Sequence, residues 1–322
     1  MLRIIDEARL RQAITPTIAV DAMREAFRAD GDGRTHVPAV INLEVPEARG
    51  EFHIKTARID GVPFIAVKIA SGFYDNPARG LPSGSGLMVV FDASTGLPAA
   101  LLLDNGYLTD IRTGAAGAVA ADVLARAPAG VVGVLGSGIQ ARLQVHCLRE
   151  VRRIQAVVVW SPNARHVDTY VDEMRAEGFT VESRPSPEAV CRDADLLITA
   201  TPARATLVRA EWLRPGQHVT AVGSDAPGKQ ELDPACLARA DLVVVDRLTQ
   251  CAAFGELRHA IENGALRADR VHGELGEVIA GARSGRTSDD QLTIADLTGV
   301  GFQDTAIAAR ALQLSAPPFA DL

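Results

Sequence analysis

Hydrophobic and polar positions change their period twice along this 322-residue chain. After a short apolar start, Ile18, Ala22, Ala26 and Ala29 recur at helical spacing. They predict a helix from about Thr17 to Ala29, ended by Gly31-Asp32-Gly33. The period then shortens. Val40–Val45, Glu51–Ile59, Phe64–Ala70, Gly86–Asp92 and Ala99–Asp104 are apolar runs of strand length, separated by turn signals such as Ile59-Asp60-Gly61 and Ser94-Thr95-Gly96. This pattern predicts a mostly antiparallel sheet. An irregular piece from Gly72 through Gly84 interrupts it, and long loops in a compact domain tend to carry function.

An alanine-rich helix from Asp110 to Leu124 leads into a second regime, in which strands and helices alternate. Strands are expected at Val131–Leu135, Ala156–Trp160, Thr180–Glu182, Leu196–Ala200, His218–Ala221 and Leu242–Val245. Helices fall near 139–151, 163–177, 187–192, 209–213 and 233–239. Such alternation predicts a doubly wound parallel sheet with right-handed crossovers. Thr305–Leu314 reads as a last helix returning to the first domain.

Where the regimes meet stands Gly133-Val134-Leu135-Gly136-Ser137-Gly138-Ile139-Gln140-Ala141, between a strand and a helix. In that context G-x-G-x-x-A cradles a dinucleotide pyrophosphate. Gly136 permits the tight turn, Gly138 the approach of phosphate, and Ala141 close packing of helix on strand. Ser137, Ile139 and Gln140 complete the cradle at a helix N-terminus that favours anions. The fold class is therefore α/β. A central Rossmann domain, 116–302, is inserted into an α+β domain made of 1–115 and completed by 303–322.

The second strand should end on the residue that meets the adenosine ribose, an acid where NAD is preferred. Here Ser161, Asn163 and Arg165 follow Trp160, with no carboxylate, and Arg165 can pair with a 2′-phosphate. The reading leans to NADP over NAD. The alternative is that Ser161 and Asn163 are turn residues and Arg165 a solvated helix start.

Composition narrows the function. A net charge of −7 with no basic run, and only 4% aromatic residues, argue against nucleic acid. No uninterrupted apolar stretch is long enough for a membrane span. Cys147, Cys191, Cys236 and Cys251 lack metal or disulfide spacing and read as buried thiols in a reducing compartment, with no metal site. Acidic residues lie where a leader's apolar core would be, in Ile5-Asp6-Glu7, so the expectation is a cytoplasmic protein.

Strand ends and buried cations supply the candidate chemistry. Thr201 follows one strand, and Ser224-Asp225-Ala226-Pro227-Gly228-Lys229 follows another. Asp225, shaped by glycine and proline, can exchange a proton beside a nicotinamide; the bland alternative is a turn or cap. Lys229 reads as a cap of the next helix. Of 33 basic residues only Lys55, Lys68 and Lys229 are lysine. Lys55, Lys68 and Arg112 lie in apolar surroundings, where a cation needs an anion. A substrate carboxylate is one candidate; an internal pair with Asp104, Asp110 or another acid is the other.

These segments resemble a known family. Gly80-Leu81-Pro82-Ser83, the run from Asp104 to Ala116, the loop Gly133–Ala141, Ser224–Leu232, Gly276-Glu277-Val278-Ile279-Ala280-Gly281 and the run from Asp296 to Asp304 are similar to the ornithine cyclodeaminase/μ-crystallin family, in order, over about residues 5–312. Asp75-Asn76-Pro77 and Leu102–Tyr107 look closest to its ectoine-utilisation cyclodeaminase-like branch. The runs Gly228–Leu232 and Gly276–Gly281 are also similar to its alanine dehydrogenases.

The resemblance implies a substrate-binding and dimerisation domain, a Rossmann domain and a homodimer. It also implies hydride transfer between NAD(P) and the α-carbon of a small amino acid or its imine. Lys68 and Arg112 match the carboxylate-holding positions, Asp225 the catalytic aspartate, and Gly301 a cofactor-facing glycine. Lys55, which holds a second anionic group or assists the nitrogen, stands where relatives carry Glu or Met. His53 stands where alanine dehydrogenase-like members have Arg, and Pro38-Ala39-Val40 where many have a basic residue. Two rivals remain: a cyclodeaminase of a diamino acid such as ornithine, which releases ammonia without net redox change, and a non-catalytic μ-crystallin-like binding protein.

Overall fold

A computed structural model describes residues 2–127 and 130–315 of the chain. The end of the expected completing segment, 316–322, lies outside the described residues. The chain divides into two units, Met1–Arg112 with Val300–Leu322, and Thr113–Gly299. The breaks thus fall after Arg112 and Gly299, where the sequence placed them after 115 and 302.

The first unit holds β1 (Arg3–Asp6), α1 (Glu7–Ala13), α2 (Pro16–Gly31), β2 (Thr35–His36), β3 (Ile41–Val45), β4 (Gly50–Ile59), β5 (Phe64–Phe73), β6 (Gly84–Asp92), β7 (Pro98–Leu103), the start of α3 (Tyr107–Leu124) and the C-terminal helix Gly301–Leu314. Its sheet runs β1-β7-β6-β5-β4-β2, with β3 also paired to β4. All neighbours are antiparallel except β1, which lies parallel to β7. Helix α1 was not expected, because only Leu10 of it is buried and no apolar period marks it; Asp6 caps it by accepting from Arg9 N. β5 and β6 extend into the expected irregular piece, leaving 74–83 between them.

The C-terminal helix is stitched to the sheet. Thr305 Oγ1 donates to the Ala57 carbonyl at 2.7 Å and accepts from Ala66 N at 3.2 Å, joining β4 to β5. At Gly301 a Cβ would come within 2.2 Å of the Thr56 carbonyl oxygen, so only glycine lets the helix begin this close to β4. Phe302 meets Phe27 of α2 edge to face at 5.3 Å between centroids.

The second unit holds the rest of α3, then β8 (Val131–Leu135), α4 (Ile139–Arg149), β9 (Ala156–Trp160), α5 (Ala164–Ala176), β10 (Val181–Ser183), α6 (Pro187–Asp193), β11 (Leu196–Thr199), β12 (Arg204–Val208), β13 (His218–Ala221), β14 (Gln230–Leu232), α7 (Pro234–Arg239), β15 (Leu242–Val245), α8 (Leu248–Phe254), α9 (Glu256–Glu262), β16 (Gly273–Glu274), α10 (Leu275–Ala280) and β17 (Thr293–Asp296). Eight strands form a parallel sheet in the order β10-β9-β8-β11-β13-β17-β15-β16. Every residue of β11, β13, β15 and β17 is buried, as helices on both faces require. The chain winds from β8 outward to β9 and β10, then returns to β11 on β8's other side. The carboxyl ends of β8 and β11 are therefore the topological switch point, where such sheets bind ligands.

Several elements differ from expectation. The helix expected at 209–213 is a single 3-10 turn, Ala210–Trp212. β12 and β14 form a separate parallel pair, and β16, β17 and α8 to α10 were not foreseen. β17 ends on buried Asp296 and begins on buried Thr293, so it lacks the uniform apolar signature of its neighbours.

Candidate active site

At the switch point the glycine loop is pinned from both sides. Gly136 N donates to the Trp160 carbonyl and Ala200 N to the Leu135 carbonyl, each at 2.9 Å, which ties the loop to β9 and β11. Gly136 has φ 118°, and a Cβ there would lie 2.5 Å from the Ala200 carbonyl oxygen, so the turn demands glycine. Gly138, the N-cap of α4, differs. Its φ is −86° and a Cβ on it would meet no protein atom within 4 Å. The space beside Gly138 is open, so a ligand can approach the loop's backbone there. Ile139, half exposed beside it, offers apolar surface to the same approach. Ala141 is fully buried, and the Tyr170 hydroxyl donates to its carbonyl. These residues fit a dinucleotide.

Beyond β9, Asn163 uses its side chain as the N-cap of α5, accepting from Arg165 N and His166 N. Arg165 is exposed and Ser161 half-buried. Thr201 and the loop after β13 are brought together by a residue the sequence did not single out, Glu231. One of its oxygens accepts from Thr201 N at 2.7 Å and Thr201 Oγ1 at 2.8 Å. The other accepts from Thr199 Oγ1 at 2.7 Å and Gly223 N at 2.9 Å. Burial pushes the Glu231 carboxyl up to about 7, against the pull of these donors. Gly223 makes room, since a Cβ there would come within 2.4 Å of the Glu231 carboxyl.

Asp225 follows on that loop. Its side chain is 44% exposed, and Lys229 Nζ lies 2.6 Å from Oδ1. Lys229 is therefore the partner of Asp225 rather than a helix cap. Ser224 Oγ donates to the Lys229 carbonyl at 2.9 Å, which closes the loop, so this hydroxyl is used inside the protein. Gly301 belongs to the first unit, where packing against Thr56 accounts for it.

In the first unit Lys55 of β4 and Lys68 of β5 stand directly opposite each other in the ladder, 6% and 2% exposed. Arg112 of α3 is buried too. Asp304, on the first turn of the C-terminal helix, meets Lys68 and Arg112, and Asp104 also attracts Lys68. Arg112 Nε donates to Asp304 Oδ1 at 2.9 Å, and Lys68 Nζ lies 3.3 Å from Oδ2. Arg112 Nη1 donates to Gln303 Oε1 at 2.9 Å. Burial alone would raise Asp304; Arg112, Lys68 and Lys55 together hold it below the usual carboxylate range. Burial pulls Lys68 down to about 7, as Arg112 and Lys55 repel it and Asp304 resists. Asp104 caps α3 through Leu108 N, and burial raises it to about 6. Asp304 sat within the recognised motif, but its partner Arg112 lies 192 residues away in sequence.

Among the described residues no group of histidine, cysteine or acid side chains is placed to hold a metal ion. No helix among them is long and apolar enough to cross a membrane.

The chain is similar throughout its length to several known proteins. It is 47% identical over 315 residues to an uncharacterised cyclodeaminase of Sinorhizobium fredii, covering 97% of this chain and 95% of that one. A solved archaeal alanine dehydrogenase dimer with bound NAD superposes with a TM-score of 0.91 at 35% identity, over 97% of this chain and 95% of the other. The iminosuccinate reductase of Paracoccus denitrificans in complex with NAD+ superposes with a TM-score of 0.87 at 30% identity, over 97% and 96%. The ornithine cyclodeaminase/mu-crystallin family model matches residues 6–313, and the chain belongs to that family.

Proposed function

We propose that this protein is an NAD(P)-dependent oxidoreductase acting at the Cα–N bond of a small amino acid or its imine. The observation that carries the reading is the buried group Lys55, Lys68 and Arg112, because a dinucleotide loop alone does not specify a carboxylate substrate. The Thr113–Gly299 unit holds the dinucleotide through Gly136, Ser137, Gly138, Ile139 and Gln140, with Thr201 and Ser224 on the adjoining loops. A bound nicotinamide would supply the chemistry of hydride exchange with Cα, reducing C=N to C–N with a proton taken up at nitrogen or the reverse.

The Met1–Arg112 unit binds substrate. Lys68 and Arg112 orient the α-carboxylate, Arg112 with a planar fork already aligned by Asp304 and Gln303. Asp225, exposed and beside the Lys229 ammonium, gives and takes the proton. For the nucleotide, Ser161, Asn163 and Arg165 provide no carboxylate against a 2′-phosphate, and this favours NADP. Specificity constants measured with both nucleotides test that choice, and a preference for NAD overturns it.

We also infer a homodimer formed through the first unit, on which Ile4, Ile41, Leu43 and Leu103 are left exposed. The four buried cysteine thiols fit a reducing compartment, the cytoplasm.

A panel of amino acids, oxo acids with ammonia, and cyclic imines, followed by NAD(P)H absorbance and ammonia together, tests the reaction. Redox change without release of substrate ammonia is expected for imine reduction. Ammonia release without accumulated NAD(P)H would indicate a cyclodeaminase, and silence across the panel a binding protein. The solved relatives are named for a substrate with one carboxylate and one with two, so kinship leaves the side chain open.

A further inference from the structure

We infer that Arg142 is a positioning residue for the dinucleotide: it holds the Ser137 and Gly138 carbonyls so that the N–H groups of Gly138 and Ile139 are turned toward the pyrophosphate. This rests on the reading of the Gly133–Ala141 loop as the dinucleotide cradle.

Arg142 stands on α4, one turn after Gly138, and helical side chains lean toward the N-terminus, so its guanidinium reaches back over the loop. Nη1 donates to the Ser137 carbonyl at 2.7 Å and to the Gly138 carbonyl at 3.0 Å. A trans peptide sets its C=O and the N–H that follows on opposite edges of one plane. With carbonyls 137 and 138 drawn to Arg142, the N–H groups of Gly138 and Ile139 point away from it. Gly138 brings no capping oxygen and the space beside it is open, so an anion can reach those donors.

The guanidinium is itself held by α5. Nε donates to Glu173 Oε2 at 2.7 Å, Nη2 donates to the same oxygen, and the group lies over the Tyr170 ring, 5.2 Å from its centroid. Tyr170 is fully buried and its hydroxyl donates to the Ala141 carbonyl at 3.2 Å, so ring, guanidinium and loop form one framework.

An ordinary salt bridge does not account for this placement. Glu173 is half exposed, and a pair with such an acid contributes little. A cation beside a helix N-terminus also meets the positive end of the dipole. Phosphates in front of the same helix reverse that sign. A turn farther from the loop, His146 Nε2 and Glu177 Oε2 join the same two helices at 2.7 Å. That second tie is the natural comparison, because it links α4 to α5 from a position remote from Ser137 and Gly138.

Calorimetry on the whole protein measures the affinity for NAD+ and NADP+. Displacement of bound NAD(P)H, followed by fluorescence, measures adenosine, which has no pyrophosphate. Arg142→Met should weaken the tighter-bound dinucleotide about tenfold, the scale of losing oriented donors to an anion, and move adenosine by less than about twofold. Arg142→Lys has a point charge in place of the fork, so it should regain part of that loss, leaving about threefold. Glu177→Gln should leave both affinities unchanged. Dinucleotide affinity in Arg142→Met within about twofold of wild type, an equal loss for adenosine, or an equal loss in Glu177→Gln overturns the inference. If Arg142→Met does not fold, Arg142→Lys decides: wild-type dinucleotide affinity in that variant overturns the inference. Wild-type protein that binds neither dinucleotide overturns the cradle itself, and this inference with it.

Discussion

In the Thr113–Gly299 unit, Glu231, Asp246, Glu256 and Asp296 are each at most 1% exposed, and each accepts backbone N–H groups. Glu231 takes Thr201 N and Gly223 N, Asp246 takes Gly299 N, Glu256 takes Glu231 N and Leu232 N, and Asp296 takes Leu257 N. The Met1–Arg112 unit instead buries three cations about Asp304. The difference has a chemical root. A buried carboxylate can be satisfied by main-chain donors, which every loop supplies, so it serves as an internal clasp. A buried cation needs oxygen acceptors, and here Asp304 serves Lys68 and Arg112, with Gln303 Oε1 beside it. One unit uses buried carboxylates to hold its own loops; the other gathers buried cations about one acid.

The largest test lies on the loop that Glu231 clasps. Asp225→Asn keeps the shape of the side chain and removes its proton chemistry, so turnover should fall about 10²–10⁴-fold. Near-normal kcat would remove Asp225 from the mechanism and leave its pairing with Lys229 as a structural contact.

Next, Asp304→Asn should leave the first unit's cations without their shared anion and destabilise the protein by about 3–5 kcal/mol, the scale of breaking a buried pair. Urea unfolding measures this, and adding Lys68→Met should recover part of the loss. A change below about 1 kcal/mol would mean the cations are not buried as charges, and the contrast between the units would fail.

Glu231→Gln should be milder but still costly. Both Glu231 oxygens face a backbone N–H, so an amide must turn its NH2 toward one of them. The expected loss is about 1–3 kcal/mol, with weaker nucleotide binding because Thr201 and the loop at 223–225 lose their common anchor. Unchanged nucleotide affinity together with unchanged stability would show that the clasp holds nothing.

Much of the fold was legible because of how each unit buries its strands. Val131–Leu135, Ala156–Trp160 and Leu242–Val245 are covered on both faces and read as unbroken apolar runs. α8 to α10 are only six or seven residues long, too short for a helical period to stand out, and β17 carries Thr293 and Asp296 at its ends. At the site, Lys55, Lys68 and Arg112 drew attention as cations among apolar neighbours. The acids did not, since Glu231 and Asp304 look like any surface carboxylate until the chain folds round them. Gly301 was legible as part of a recognised motif, but its close packing on Thr56 was not.

The subtlest test uses proton balance. Burial draws Lys68 down to about 7, and only its ammonium form holds a carboxylate. Hence kcat/KM should fall as pH rises through about 7, by about tenfold per unit on the alkaline side, and Lys68→Arg should abolish that limb because guanidinium stays charged. Stability should move the other way. An unfolded lysine keeps its proton to about 10.4, so above about 7 the unfolded state binds more protons and the Lys68 contribution to stability rises with pH. Glu231 has the reverse sense below that range. Its carboxyl is raised by burial to about 7 in the fold, so between the ordinary value of 4.5 and about 7 the native state holds the extra proton and stability falls as pH rises. Unfolding free energies measured from pH 5 to 9 in wild type, Lys68→Met and Glu231→Gln should therefore show opposite slopes assigned one to each variant. A wild-type kcat/KM that is flat across pH 6 to 9 would mean that Lys68 never releases its proton in the free enzyme, and that the first unit already satisfies its cations from within.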